Sequence, residues 1–223
     1  MTQVSRKFRG EVISLLYALK HNKPCRAASI IPIHQDGQVT AVLRVVSDAS
    51  LKEAPEIKRL ALWRDANSTW FPSQFRVSVA GTKKWGKEQL LEKKDRILFM
   101  IEDLKGIAIG HVGLYTFDYD KYSCEIDNII RGEKGVPGVM TAAIDSLCRW
   151  GRDVLGVKTF TLRCFADNAK AIALYRRSGF VEFAKIPLVQ VQKKRITVWE
   201  EPGRGVKLEN AKRYFVCMER VGI

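Results

Sequence analysis

The segment 157–180 constrains this chain more than any other. V-K-T-F-T-L-R-C-F at 157–165 is a β-rich run, and N-A-K-A-I-A-L-Y-R-R-S-G-F follows it at 168–180. The pattern predicts a strand, a short turn, a helix and a glycine stop. Asp167 or Asn168 caps the helix start, because a short side-chain oxygen accepts from the orphan N–H groups of the first turn. Gly179 suits the left-handed position just past the helix end. Asn168, Ala171 and Tyr175 fall at i, i+3 and i+7 and share one face. A phenol and an amide with small residues between them either line a narrow cleft or belong to a half-buried helix with a satisfied Tyr.

The rest of the pattern supplies partners for that unit. Residues 5–20 read as an amphipathic helix with Phe8, Val12, Leu15, Leu16 and Leu19 near helical spacing. Residues 27–33 suggest a short strand ended by Pro32, and 39–46 a clearer, β-branched one. A helix is expected over 51–67, broken at N-S-T-W-F-P-S, and a second within 79–94 that carries Trp85, Leu90 and Leu91. Strands at 96–101, 107–117 and 122–130, joined by D-L-K-G and D-Y-D-K, predict an antiparallel meander. A helix from Pro137 to Leu155 has its apolar stripe on Met140, Ala143, Ile144, Leu147, Cys148, Val154 and Leu155. Strands at 180–188, 196–200 and 213–221 would close the sheet, the last two flanking a turn-rich P-G-R-G insert.

The junction R-G-E-K-G-V-P-G at 131–138 has the makings of an anion site. Unpaired N–H groups of a helix's first turn point outward, and the helix dipole favours negative charge there. Gly135 and Gly138 let the backbone approach closely, Pro137 suits the first turn, and Arg131 and Lys134 add charge. The same glycines would also serve an ordinary strand-to-helix turn. A net charge of +14 on 223 residues attracts polyanions. The basic residues are spread, with modest clusters at 83–96 and 193–195, so phosphorylated small molecules fit better than nucleic acid. No apolar run approaches the roughly 18 residues that span a bilayer, and 13–19 reads as part of a helix, not a secretory signal. Five dispersed cysteines show no metal spacing and fit buried thiols in a reducing cytosol, so no metal is expected.

N-x-x-A-x-x-L-Y-x-x-x-G-F resembles the C-terminal motif of the GCN5-related N-acetyltransferases (GNAT). The element order matches that superfamily over roughly residues 38–221. The resemblance implies an α/β fold with a mixed, mostly antiparallel central sheet flanked by helices: an acetyltransferase domain at 38–223 and an N-terminal extension at 1–37. It implies acetyl-coenzyme A as cosubstrate and a cytoplasmic enzyme. It also implies that Asn168, with Ala171, contacts coenzyme A and that Tyr175 stands near the thiolate as general acid. The family's loop pattern is Q/R-x-x-G-x-G/A. Here the spacing is one residue longer and Pro137 stands where Gly or Ala is usual. Backbone amides from Lys134 to Val139, through Gly135, Val136 and Gly138, remain to hold the pyrophosphate beside Arg131. The pantetheine arm would pair with Asn128, Ile129 and Ile130.

Acetyl transfer needs a deprotonated amine, a donor for the oxyanion and an acid for the thiolate. Glu125 and Asp127 are two apart on a predicted strand and share a face, where one carboxylate could accept the amine proton; they could equally be a solvent-facing pair. Glu125 matches a position where many family members carry Glu. His111 has the intrinsic pKa of a base, and a lone sheet His is also commonly structural. The family's acceptor pocket lies by its first two helices, here L-A-L-W-R-D-A-N-S-T-W-F at 60–71 and G-T-K-K-W-G-K at 81–87. With E-I-D-N-I-I-R-G-E at 125–133, these are similar to acetyltransferases acting on amino groups of nucleotide-linked sugars. That implies Trp63, Trp70, Phe71, Trp85 and His111 as substrate-facing, with Arg64 on a phosphate or carboxylate, and a homodimer as a possible assembly; the same aromatics, Trp63 as much as any, could instead be core staples. Acetylation of a protein N-terminus or lysine, an antibiotic or polyamine acceptor, and a non-catalytic acyl-CoA-binding module stand as alternatives.

Overall fold

The computed structural model describes residues 2–203 and 211–221. Helix α1 (Gln3–Lys20) leads to edge strand β1 (Ile30–Gln35) and β2 (Gln38–Val45). Asp36 and Gly37, both at positive φ, form the tight turn between them. Pro32 does not end β1 as expected. It pairs opposite Val42 within the strand, which an edge position permits because one side of β1 has no neighbour to receive an N–H. Helix α2 (Ala54–Ala66), a two-residue strand β3 (Ser73–Gln74) and helix α3 (Val79–Trp85) come next, and α3 continues into a wider π turn at Gly86–Leu91. The meander follows as β4 (Ile97–Asp103), β5 (Ala108–Asp118) and β6 (Ser123–Arg131). Then come α4 (Val139–Trp150), β7 (Thr159–Phe165), α5 (Ala169–Arg177), β8 (Val181–Lys193), β9 (Ile196–Glu200) and β10 (Arg213–Val221). The P-G-R-G insert lies partly outside the described residues.

The strands run β1-β2-β4-β5-β6-β7-β10-β8-β9-β3. Every pairing is antiparallel except β6–β7. Alternation along β4 separates the two faces. Ile97, Phe99 and Ile101 join the core under α1 and α4, while Leu98 and Met100 pack with Leu51, Ile57, Leu60 and Trp63 around α2. Burying such a side chain contributes about 1.5–3 kcal/mol, so both helical layers are anchored by one five-residue run. Phe8, Val12, Leu15, Leu16 and Leu19 of α1 enter the first of these cores, as their spacing predicts. Lys20, at the end of α1, is 1% exposed and donates to the carbonyls of Leu90 and Lys93, where the α3 π turn leaves its last acceptors open.

The parallel seam between β6 and β7 positions the site. Only Ser123, Cys124 and Glu125 find partners, at Thr159, Phe160 and Thr161. Beyond them the strands part, and Ile126–Arg131 pair with no strand on that side among the described residues. The sheet therefore contains a fork. At its far end β3 pairs with β9 through Ser73–Val198 and Gln74–Thr197, so the segment after α2 is stitched to the C-terminal strands.

Candidate active site

The fork is lined on β6 by a distorted backbone. The β5–β6 register slips between His111 and Gly113, and Asn128 has φ +50°. Strand β5 comes unusually close here. A Cβ at Gly110 would meet the Ile130 carbonyl of β6 at 2.2 Å, and one at Gly113 would meet the Ile97 carbonyl of β4 on its other side at 2.6 Å; only glycine tolerates backbone at that distance. Between them, His111 Nδ1 lies 2.6 Å from the Asn128 carbonyl oxygen. His111 is 3% exposed and burial lowers its pKa to about 4, so the ring is neutral. The carbonyl can only accept, which places the single N–H on Nδ1. The expected substrate-facing role of His111 is not what the structure shows: the imidazole is enclosed, with Trp63 at 6.0 Å between ring centroids.

Glu125 and Asp127 do share a face. Ile126 joins the α1–α4 core, so its neighbours turn toward α2. Neither carboxylate is free. Glu125 accepts from Arg163 of β7 at 3.1 and 3.2 Å, a forked pair at the point where the strands separate. Asp127 Oδ2 accepts from Arg96 and, at 2.8 Å, from Asn128 Nδ2, while Oδ1 is buried with no partner among the described residues. Burial raises the Asp127 pKa against the opposing pull of Arg96 and Asn128. Arg96 lies 4.3 Å from the Tyr115 ring centroid and 5.5 Å from that of Trp85. Asp127 is thus held by Arg96 and Asn128, and Glu125 by Arg163 at the point where β6 and β7 separate.

The loop after β6 retains open donors. Gly132 and Glu133 N–H bind the Ile109 carbonyl, and Val139 N–H binds Val136. The N–H groups of Lys134, Gly135, Val136, Gly138, Met140 and Thr141 make no hydrogen bond among the described residues. Gly138 caps α4 at φ +77°. Arg131 and Lys134 are exposed beside it. Gln35 of β1 donates to the Pro137 carbonyl at 2.8 Å, so the N-terminal hairpin braces this turn. An arc of unbonded N–H groups at the start of a helix with two nearby cations fits the pyrophosphate of coenzyme A.

On the other side of the fork, Asn168 is the cap of α5, its Oδ1 accepting from Ala171 N–H at 3.1 Å. That oxygen is committed, and only its amide nitrogen is left for a ligand. Gly179 stops the helix at φ +79°. Tyr175 is 6% exposed, and its hydroxyl makes no hydrogen bond among the described residues. Burial, with Cys164 nearby, raises its pKa. A phenol in that state is a neutral donor, as an acid must be before it acts.

The residues expected to face the acceptor lie mainly on α2 and in the segment that follows it. Arg64 stacks 3.7 Å above the Phe71 ring centroid, 5.1 Å from Phe75, and donates to the Ser73 carbonyl at 2.6 Å. Its Nη1 is buried without a partner among the described residues, and burial lowers its pKa to about 10. Trp70 and Phe75 are exposed at the rim. Trp63 is not available for stacking on a ligand: it is 2% exposed, packs flat against Gly132 and donates to Glu133 at 3.1 Å. Arg213 of β10 lies 3.4 Å from the Phe165 ring centroid and bonds Asp167 and the Thr69 carbonyl, fastening the α2–β3 loop to β10 and the end of β7. Sequence reasoning missed Arg96, Arg163 and Arg213, since each meets its partner across 31 residues or more. Four of the five cysteines are buried, and Cys25 is exposed.

The model of the acetyltransferase (GNAT) domain matches residues 43–181. Among solved structures, spermidine N-acetyltransferase from Vibrio cholerae in complex with CoA and spermine aligns with a TM-score of 0.60 at 17% identity, over 82% of this chain and 95% of that one. The ribosomal L7/L12 alpha-N-protein acetyltransferase RimL aligns with a TM-score of 0.61 at 16% identity, over 86% of this chain and 93% of that one. A search of curated proteins finds no match.

Proposed function

The chain belongs to the GNAT acetyltransferase family, and on that premise we propose that it acetylates the primary amine of an anionic small molecule, a nucleotide-activated amino sugar used in surface-polysaccharide biosynthesis. It is an N-acetyltransferase that uses acetyl-coenzyme A. We take residues 38–223 as the catalytic domain and residues 1–37 as an extension that braces it through Gln35.

Acetyl-coenzyme A supplies an activated thioester, and the chain's own groups do the rest. Backbone amides from Lys134 to Thr141 and the charge of Arg131 and Lys134 hold the phosphates. The unpaired edge of β6 at Asn128–Ile130 receives the pantetheine amides in place of a neighbouring strand. Glu125 takes the proton of the incoming amine, directly or through water, and Tyr175 returns one to the departing sulfur. Oriented attack needs no enzyme-bound acyl group, and the buried thiols Cys124 and Cys164, with pKa values raised by burial, suit none.

The observation that carries the anionic acceptor is Arg64. Its guanidinium is largely desolvated between Phe71 and Phe75 and forms no ion pair among the described residues. A cation so placed favours an approaching phosphate and repels a polyamine. Exposed Trp70 and Phe75 add faces for a base or sugar. A peptide amine is the second reading, supported by the +14 charge, which suits acidic or ribosomal surfaces. The test is thiol release from acetyl-coenzyme A against nucleotide-linked amino sugars, polyamines and peptide amines. Release with a nucleotide sugar, lost in Arg64→Met, supports the proposal; release with spermidine alone removes it.

A further inference from the structure

His111 is enclosed in the sheet, yet it contacts the one residue of β6 whose backbone is left-handed. Beside it, Gly110 lets the Ile130 carbonyl of β6 approach so closely that no side chain fits there. Gly110 and His111 together therefore set the path of Asn128–Ile130. A trans peptide is planar, with its C=O and N–H pointing in opposite directions. The His111 bond fixes the Asn128 carbonyl toward the imidazole. The N–H in the same peptide plane, that of Ile129, must then point away from His111. There β6 has lost its neighbour, since β7 pairs only as far as Glu125.

We propose that His111 is a positioning residue: by holding the Asn128 carbonyl, it aims the Ile129 N–H into the fork as the donor for an acyl carbonyl bound there. The hydrogen bond also polarises the shared peptide group, which strengthens the N–H as a donor. The neutral ring suits this task, because Nδ1–H donation to a carbonyl is maintained across the working pH range without adding a buried charge. His111 itself touches no ligand. The inference rests on the reading of the fork as the acetyl-coenzyme A site.

Vibrational difference spectroscopy with acetyl-coenzyme A carrying ¹³C at the thioester carbonyl tests it without knowledge of the acceptor. Bound to the unaltered protein, the carbonyl stretch should move to lower frequency. His111→Leu should lose most of that shift while binding acetyl-coenzyme A with similar affinity. His111→Asn should recover most of it, because the Asn amide nitrogen can stand where Nδ1 stood. A full shift in His111→Leu, or no shift in the unaltered protein that nonetheless binds, overturns the proposal. Failure of the unaltered protein to bind acetyl-coenzyme A removes the site reading beneath it. If His111→Leu does not fold, the Ile129 amide decides in ¹⁵N-isoleucine-labelled protein. Its proton should move downfield with acetyl-coenzyme A and not with coenzyme A; an unmoved resonance sinks the idea.

Discussion

Replacing Gly132 with Ala asks whether Trp63 is held by packing. A Cβ at that position would lie 1.9, 2.1 and 2.3 Å from three atoms of the Trp63 ring. The ring cannot swing clear, since it is 2% exposed and wedged among Leu60, Leu98 and Ile130 on the α2 face. Overpacking of this kind costs about 1–3 kcal/mol, and loss of the indole N–H bond to Glu133 adds about 1 kcal/mol. A total near 3 kcal/mol lowers Tm by about 6–12 °C in a domain of this size. Trp63→Leu alone opens a void and costs about 3 kcal/mol. In the double variant the new Cβ occupies vacated space, so the combined loss should fall short of the sum by about 2 kcal/mol. Urea and thermal unfolding of the four proteins give the cycle. Additive losses, or a Gly132→Ala protein that melts with the parent, would refute the packing role and return Trp63 to the pocket.

The remaining expectations are simpler. Tyr175→Phe should lower turnover about a hundredfold or more with acetyl-coenzyme A affinity almost unchanged, because an acid acts in the transition state; unchanged turnover removes Tyr175 from the mechanism. Asn168→Ala should cost about 1 kcal/mol through the lost cap. Asn168→Asp should keep that stability while weakening acetyl-coenzyme A binding if the amide nitrogen faces the ligand, as calorimetry would show. Lys20 has a folded pKa lowered from 10.5 to about 8 by burial, the nearby Asp95 acting in the opposite sense. Between those values the unfolded chain binds more protons, so stability rises with pH. From pH 7.5 to 10 the parent should gain about 2 kcal/mol relative to Lys20→Met in urea unfolding, and a flat difference would contradict the buried cation.

The architecture was legible because local rules agreed with the whole. β-branched runs gave the meander, Asp-led turns joined it, and Gly179 closed α5 where the left-handed position was expected. Strand β3 escaped notice because two residues carry no periodicity; it exists only because β9 lies opposite. The sequence left Trp63 and His111 between pocket and core for a related reason. An aromatic next to an arginine looks the same in sequence whether it faces a pocket or a glycine, and the partner that buries Trp63 stands 69 residues away at Gly132. The shared face of Glu125 and Asp127 followed from strand alternation, but Arg163, which holds Glu125, is separated from it by 38 residues. The brace of Gln35 on Pro137 spans 102. Local periodicity encodes which face a side chain takes, not which distant side chain meets it.

The stitch between β3 and β9 ties the two halves of the chain together a second time. β3 follows α2, in the half of the chain that builds β4 to β6, yet it pairs with the strands of the other half. The two halves are therefore joined at the β6–β7 seam and again where β3 meets β9. The loop between α2 and β3 is tethered at both ends, a rope made fast to two posts, and its slack is fixed by strands made from the other end of the chain.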